Sequence, residues 1–108
     1  MIVAAANLPN FPAKKTNTVR VLIADDNPSM RGAIRLVLER IAGIEICAVA
    51  ANGTQAVDAA LALQPDLIIL DVVMPGLNGV EAAGVLKKHL PRAKIILFTM
   101  YEDTISRS

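Results

Sequence analysis

Two nearly continuous apolar runs, each closed by acid, constrain this chain more than any other feature. Val19, Val21, Leu22, Ile23 and Ala24 run into Asp25-Asp26, and Leu67 to Leu70 run into Asp71. Runs without polar alternation read as strands covered on both faces. Between and after them the period changes. Asn27-Pro28 supplies an N-cap followed by proline at the first helical position, and Met30, Ala33, Ile34, Val37, Leu38 and Ile41 recur at helical spacing until Gly43. Ile44, Ile46 and Ala48 then alternate with Glu45, Cys47 and Val49 as a strand. Asn52-Gly53-Thr54 opens a helix carrying Ala56, Val57, Ala60 and Leu61, which Pro65 stops. After Asp71 comes a Met74-Pro75-Gly76 turn, and Asn78 caps a helix from about Gly79 to Leu90 with Lys87, Lys88 and His89 in its last turn, where the helix dipole favours cations. Lys94 to Thr99 is a further strand, and Tyr101 to Ser108 begins a helical segment.

Strands alternating with helices at short spacing predict an α/β fold, a parallel sheet with helices on both faces. The 108 residues suffice for one domain and its core, and 54% hydrophobic against 19% charged residues excludes a disordered chain. Residues 1–18, with Pro9, Asn10, Pro12 and Asn17, show no periodicity and read as a flexible N-terminal leader ahead of a domain at 19–108. Met1 to Ala6 is apolar but too short to span a membrane, and no positive charge precedes it as a secretory signal requires. A cytoplasmic protein without membrane association is expected. With 11 Lys+Arg against 10 Asp+Glu there is no broad basic surface for nucleic acid. The single Cys47 reads as a core residue, and His89 as a solvated helix end.

In parallel sheets, ligands sit beyond the carboxyl ends of the strands. Asp25, Asp26, Asp71 and Thr99 all occupy such ends. Three carboxylates gathered together repel one another, and a bound cation or shared proton relieves this. A hard, oxygen-seeking ion is the natural partner, and Mg²⁺, which keeps several waters, suits a site with few protein ligands.

These residues resemble the receiver domain of bacterial two-component response regulators. The resemblance runs from Val19 to about Thr104, through the run ending in Asp25-Asp26, through Asp66-Leu67-Ile68-Ile69-Leu70-Asp71 with Met74-Pro75-Gly76 and Gly79 behind it, and through Ile95 to Thr99. It implies a flavodoxin-like doubly wound sheet, strand order 2-1-3-4, with the fifth strand and last helix missing. It further implies that Asp71 is the phosphoacceptor, that Asp26 binds Mg²⁺ directly and Asp25 largely through water, and that the Val73 carbonyl completes the protein ligands. Thr99 would hydrogen-bond the phosphoryl group. The donor would be a sensor histidine kinase or phosphotransfer protein, and the domain a phosphoacceptor, not a turnover enzyme.

The family's fifth-strand lysine and aromatic switch residue have no counterpart in this sequence, since Lys94 starts the fourth strand at the end away from the acids. The alternative is therefore a degenerate or truncated receiver acting as a phosphorylation-independent interaction module. A haloacid-dehalogenase-type phosphatase is disfavoured because Val73 stands where its second aspartate would be, and a dinucleotide site because no glycine-rich loop follows the first strand. Ending after the fourth strand would leave Ile95 to Phe98 on an open edge. Self-association through that edge, or folding of the leader Met1 to Ala6 against it, is the expected consequence.

Overall fold

The computed structural model describes residues 2–3 and 18–99. Among these residues five strands and three helices follow in the order β1 (Ile2–Val3), β2 (Val19–Ala24), α1 (Pro28–Glu39), β3 (Ile44–Ala50), α2 (Gly53–Leu63), β4 (Leu67–Asp71), α3 (Gly79–His89) and β5 (Lys94–Thr99). They form one sheet in the order β1-β5-β4-β2-β3. The four strands from Val19 onward are parallel and, counted from β2, run 2-1-3-4 as expected. The helical segment expected at Tyr101 to Ser108 lies outside the described residues.

Each helix starts where the sequence supplies a cap. The Asn27 side chain accepts from the N–H groups of Ser29 and Met30, and Pro28 follows in the first turn. Asn52 accepts from the Gln55 N–H. Asn78 and Glu81 form a reciprocal capping box. The ends are as local: α1 stops at Glu39, four residues before the left-handed Gly43 (φ 85°), and α2 stops at Gln64 in the left-handed region (φ 51°).

Because side chains alternate along a strand, the sheet carries two cores. Val21, Ile23, Leu67, Ile69, Ile96 and Phe98 belong to one, with Ile34 and Leu38 of α1. Leu22, Ala24, Ile68 and Leu70 belong to the other, with Ala56 and Ala60 of α2 and Ala82 and Leu86 of α3. β4 is buried along its whole length, Asp71 included. At ~1.5–3 kcal/mol for each buried aliphatic side chain, its four preceding residues offset the several kcal/mol that a buried carboxylate costs. At the opposite end Asp66 staples the sheet: its carboxylate accepts from the Arg20 N–H (2.8 Å), its own N–H donates to the Arg20 carbonyl (2.8 Å), and its carbonyl accepts from Lys94 N–H (2.9 Å).

One expectation is corrected. Cys47 is half-buried, not core: β3 is an edge strand, and the register slips there, Val21 pairing with Ile46 and Leu22 with Ala48, so Cys47 is the bulged residue. Leu61 is exposed, because Gly53, Ala56 and Ala60 form the buried stripe of α2. Of the two outcomes expected at the fourth-strand edge, pairing with the chain's own leader is the one seen. Ile2 pairs with Thr99 and Val3 with Phe98, antiparallel, so part of the edge expected to attract another copy is taken by the chain itself.

Close approach is strictest at the start of α2, where a Cβ on Gly53 would stand 1.9 Å from the Leu77 carbonyl oxygen. Gly53→Ala should therefore push α2 from the loop after β4 and lower stability by about 1–3 kcal/mol in urea unfolding. Gly84→Ala, where an added Cβ meets nothing within 4 Å in the middle of α3, should raise it by roughly 0.5–1 kcal/mol. Equal effects at the two positions would contradict the packing described.

Candidate functional site

The chain leaves β2 through α1 toward β3, and returns through α2 on the other face to β4. β2 and β4 are therefore neighbours whose connections depart to opposite sides, and a crevice opens beyond their carboxyl ends. Pairing of Ala24 with Leu70 sets the next residues, Asp25 and Asp71, side by side. Asp26 follows on the loop. Carboxylate oxygens of Asp25, Asp26 and Asp71 all lie within 4.8 Å of one another.

The three acids are held differently. Asp25 is 1% exposed; its N–H donates to the Ala50 carbonyl (3.1 Å) and its Oδ1 accepts from the Asn27 N–H (2.9 Å). Its Oδ2 is buried with no hydrogen-bond partner. Asp71 is 4% exposed, and its Oδ1 accepts from the Val73 N–H at 3.1 Å. Asp26 is exposed. A buried acceptor left unpaired costs about 1–3 kcal/mol, more when it is charged, so Asp25 Oδ2 marks a place prepared for a proton or a cation. Loss of water is the main reason the Asp25 carboxyl is pushed up to about 6; the Asn27 N–H opposes it, while the neighbouring carboxylates of Asp71 and Asp26 add to it.

The other residues singled out from sequence take their places around this cluster. Val73 is two residues beyond Asp71 and largely exposed. Thr99, half-buried, ends β5 one residue after Phe98, which pairs with Asp71 and accepts from the Val72 N–H at 2.7 Å. Gly79 begins α3 hard against the same backbone: its N–H donates to the Val72 carbonyl (3.0 Å), and a Cβ there would stand 2.1 Å from the Asp71 carbonyl oxygen. Lys94 is at the far end of β5, paired with Leu67. His89 is exposed, its Nδ1 3.0 Å from the Val85 carbonyl, away from the acids. Sequence reasoning missed Arg31, whose guanidinium donates to the Asp25 carbonyl at 2.8 Å. The available signal was a cation in the first turn of a helix, where the dipole disfavours it.

Comparison with known proteins shows the family to which this fold belongs. The family model described as "Response regulator receiver domain" matches residues 21–107. The chain is 42% identical over 93 residues to protein-glutamate methylesterase/protein-glutamine glutaminase 5 of Geobacter metallireducens, covering 86% of this chain and 25% of that protein. It is 37% identical over 84 residues to the response regulator protein VraR of Staphylococcus aureus, covering 78% of this chain and 40% of that protein. The chain thus spans a quarter to two fifths of the length of these relatives. Among solved structures it is similar to the response regulator domain of Thermotoga maritima CheB (TM-score 0.72, 32% identity, 76% of this chain and 60% of that one). It is also similar to the isolated REC domain of RcsB from Salmonella enterica serovar Typhimurium in the presence of phosphomimetic BeF3- (TM-score 0.73, 30% identity, 79% and 64%). No helix among the described residues is long and apolar enough to cross a membrane.

The raised Asp25 carboxyl makes stability depend on pH. Between the ordinary aspartate value of about 3.9 and the folded value of about 6, the folded state holds the extra proton, so stability falls as pH rises. The contribution is complete below the lower value and lost above the upper one. In chelator, urea unfolding at pH 5 and pH 7.5 should differ through this group by about 1.4 kcal/mol, the acid side being more stable. Asp25→Asn should remove that part of the slope; a slope unchanged in the variant would exclude Asp25 as its source.

Proposed function

The chain belongs to the response regulator receiver-domain family of two-component signal transduction, and on that premise we propose that it accepts a phosphoryl group on Asp71 with a divalent cation beside it. The observation that carries this reading is the buried, unpartnered Asp25 Oδ2 inside a cluster of three carboxylates. Oxygen-only donors, few in number and open to water through exposed Asp26, suit Mg²⁺. Asp25, Asp26, Asp71 and the Val73 carbonyl would hold it. When bound, the ion neutralises charge on the phosphoryl oxygens and orients them for in-line transfer.

The protein's own part is to present the nucleophile. A carboxylate oxygen of Asp71 attacks the phosphorus of a phosphohistidine; the O–P bond forms as the P–N bond breaks, and the electron pair leaves on the imidazole nitrogen, which then takes a proton. The Val73 N–H on Oδ1 orients the carboxylate, and burial at the end of β4 limits its motion. The Thr99 hydroxyl, at the end of β5, would donate to a phosphoryl oxygen. A sensor histidine kinase or phosphotransfer protein in the cytoplasm is the partner this chemistry requires. Each copy takes one phosphoryl group, which makes the domain a signalling acceptor and not a turnover enzyme.

A second reading, a phosphorylation-independent interaction module, is favoured by one observation. Among the described residues the lysines, Lys87, Lys88 and Lys94, stand at the end of the sheet away from the acids, so none reaches an acceptor on Asp71. Incubation with acetyl phosphate and Mg²⁺, followed by intact-mass measurement, separates the two readings. Covalent uptake should occur in the parent, vanish in Asp71→Asn and fall sharply in chelator. No uptake by the folded parent would favour the interaction module.

A further inference from the structure

Asp26 differs from its two neighbours in having nothing to hold its side chain. It is exposed, and among the described residues its carboxylate has no hydrogen-bond or ion-pair partner. Its placement is therefore set by the backbone. The oxygen that Arg31 grips at 2.8 Å belongs to the peptide joining Asp25 to Asp26. A peptide unit is planar, so anchoring that oxygen also holds the Cα of Asp26, the point from which its side chain departs. Arg31 lies in the first turns of α1, against the helix dipole and with no acidic residue in that first turn. Its position is electrostatically unfavourable for the helix, and the hydrogen bond to the strand end is what it gains.

We infer that Arg31 is a positioning residue for the acidic site, acting through the Asp25 carbonyl on Asp26. The inference rests on the divalent-cation reading given above. Charge and position here act with opposite signs. As a neighbouring positive charge, Arg31 repels a cation, so its removal would tighten Mg²⁺ binding. As a clamp on the Asp25–Asp26 peptide, its removal loosens a ligand and weakens binding.

The test is a Mg²⁺ titration at fixed ionic strength, with the metal alone as probe, followed by the amide NMR signals of residues 25–27 and 71–73. The parent should saturate. Arg31→Met should raise the Kd about tenfold, the size typical of lost support around a metal ligand. Arg31→Gln serves if the Met variant loses its native spectrum. Arg35→Met, which removes an exposed cation paired with Glu39 one turn further along α1, should leave the Kd unchanged or slightly lower. In an Asp26→Asn background, Arg31→Met should bring no further loss. Binding by Arg31→Met as tight as in the parent, or an undiminished loss in the Asp26→Asn background, overturns the proposal. A parent that shows no Mg²⁺-dependent change overturns the cation reading itself, and the proposal with it.

Discussion

The pairing of β2 with β4 is the contact on which the rest of the structure depends. It is a parallel ladder between two strands buried on both faces, and its register sets Ala24 beside Leu70. Everything at the acidic end follows from that one alignment. A slip of one residue would turn each side chain to the other face, setting the residues of one core against the helices of the other. Burial of the aliphatic residues thus fixes the spacing of the carboxylates, although the carboxylates themselves oppose it. The fold supplies the free energy that the site consumes.

The two faces of the sheet divide the work. The face under α2 and α3 is lined largely by alanine, with Ala24, Ala50, Ala56, Ala60 and Ala82 buried, and small side chains let helix backbones come close. That closeness presses Gly53 onto the Leu77 backbone and Gly79 onto Asp71, so the loop carrying Val73 and Met74 is gripped from two sides. Met74 is buried in the same core, which anchors the loop from within. The face under α1 is built from larger aliphatic residues and makes no such grip on the acids. Its connection to the site is polar instead, through Asn27 and Arg31.

Most of the architecture was legible in the sequence because its signals are local. Asn27-Pro28, Asn52 and Asn78 each cap a helix through their own side chain, and the apolar runs end at the residues where the strands end. The acidic cluster was legible for a topological reason: strand-end residues converge whatever the details of packing. What escaped was set by partners distant in the chain. Cys47 read as core because its apolar stretch reads as a buried strand, and neither the edge position of β3 nor a bulge opposite Val21 and Leu22 leaves a trace in β3 alone. Arg31 was missed because its acceptor is a backbone oxygen, which residue identity does not reveal.

The antiparallel contact of Ile2–Val3 with Phe98 and Thr99 bears on how copies of this chain meet. Two ladder residues make a weak joint, and taken as a bimolecular contact it would count for little. It is not bimolecular. Both strands belong to one chain, and an end joined covalently to its own sheet is presented there at an effective concentration on the order of millimolar. A strand offered by another molecule must outcompete that local supply. At micromolar protein the intramolecular occupant prevails by mass action, and the edge of β5 at Phe98 and Thr99 is shielded by proximity more than by strength.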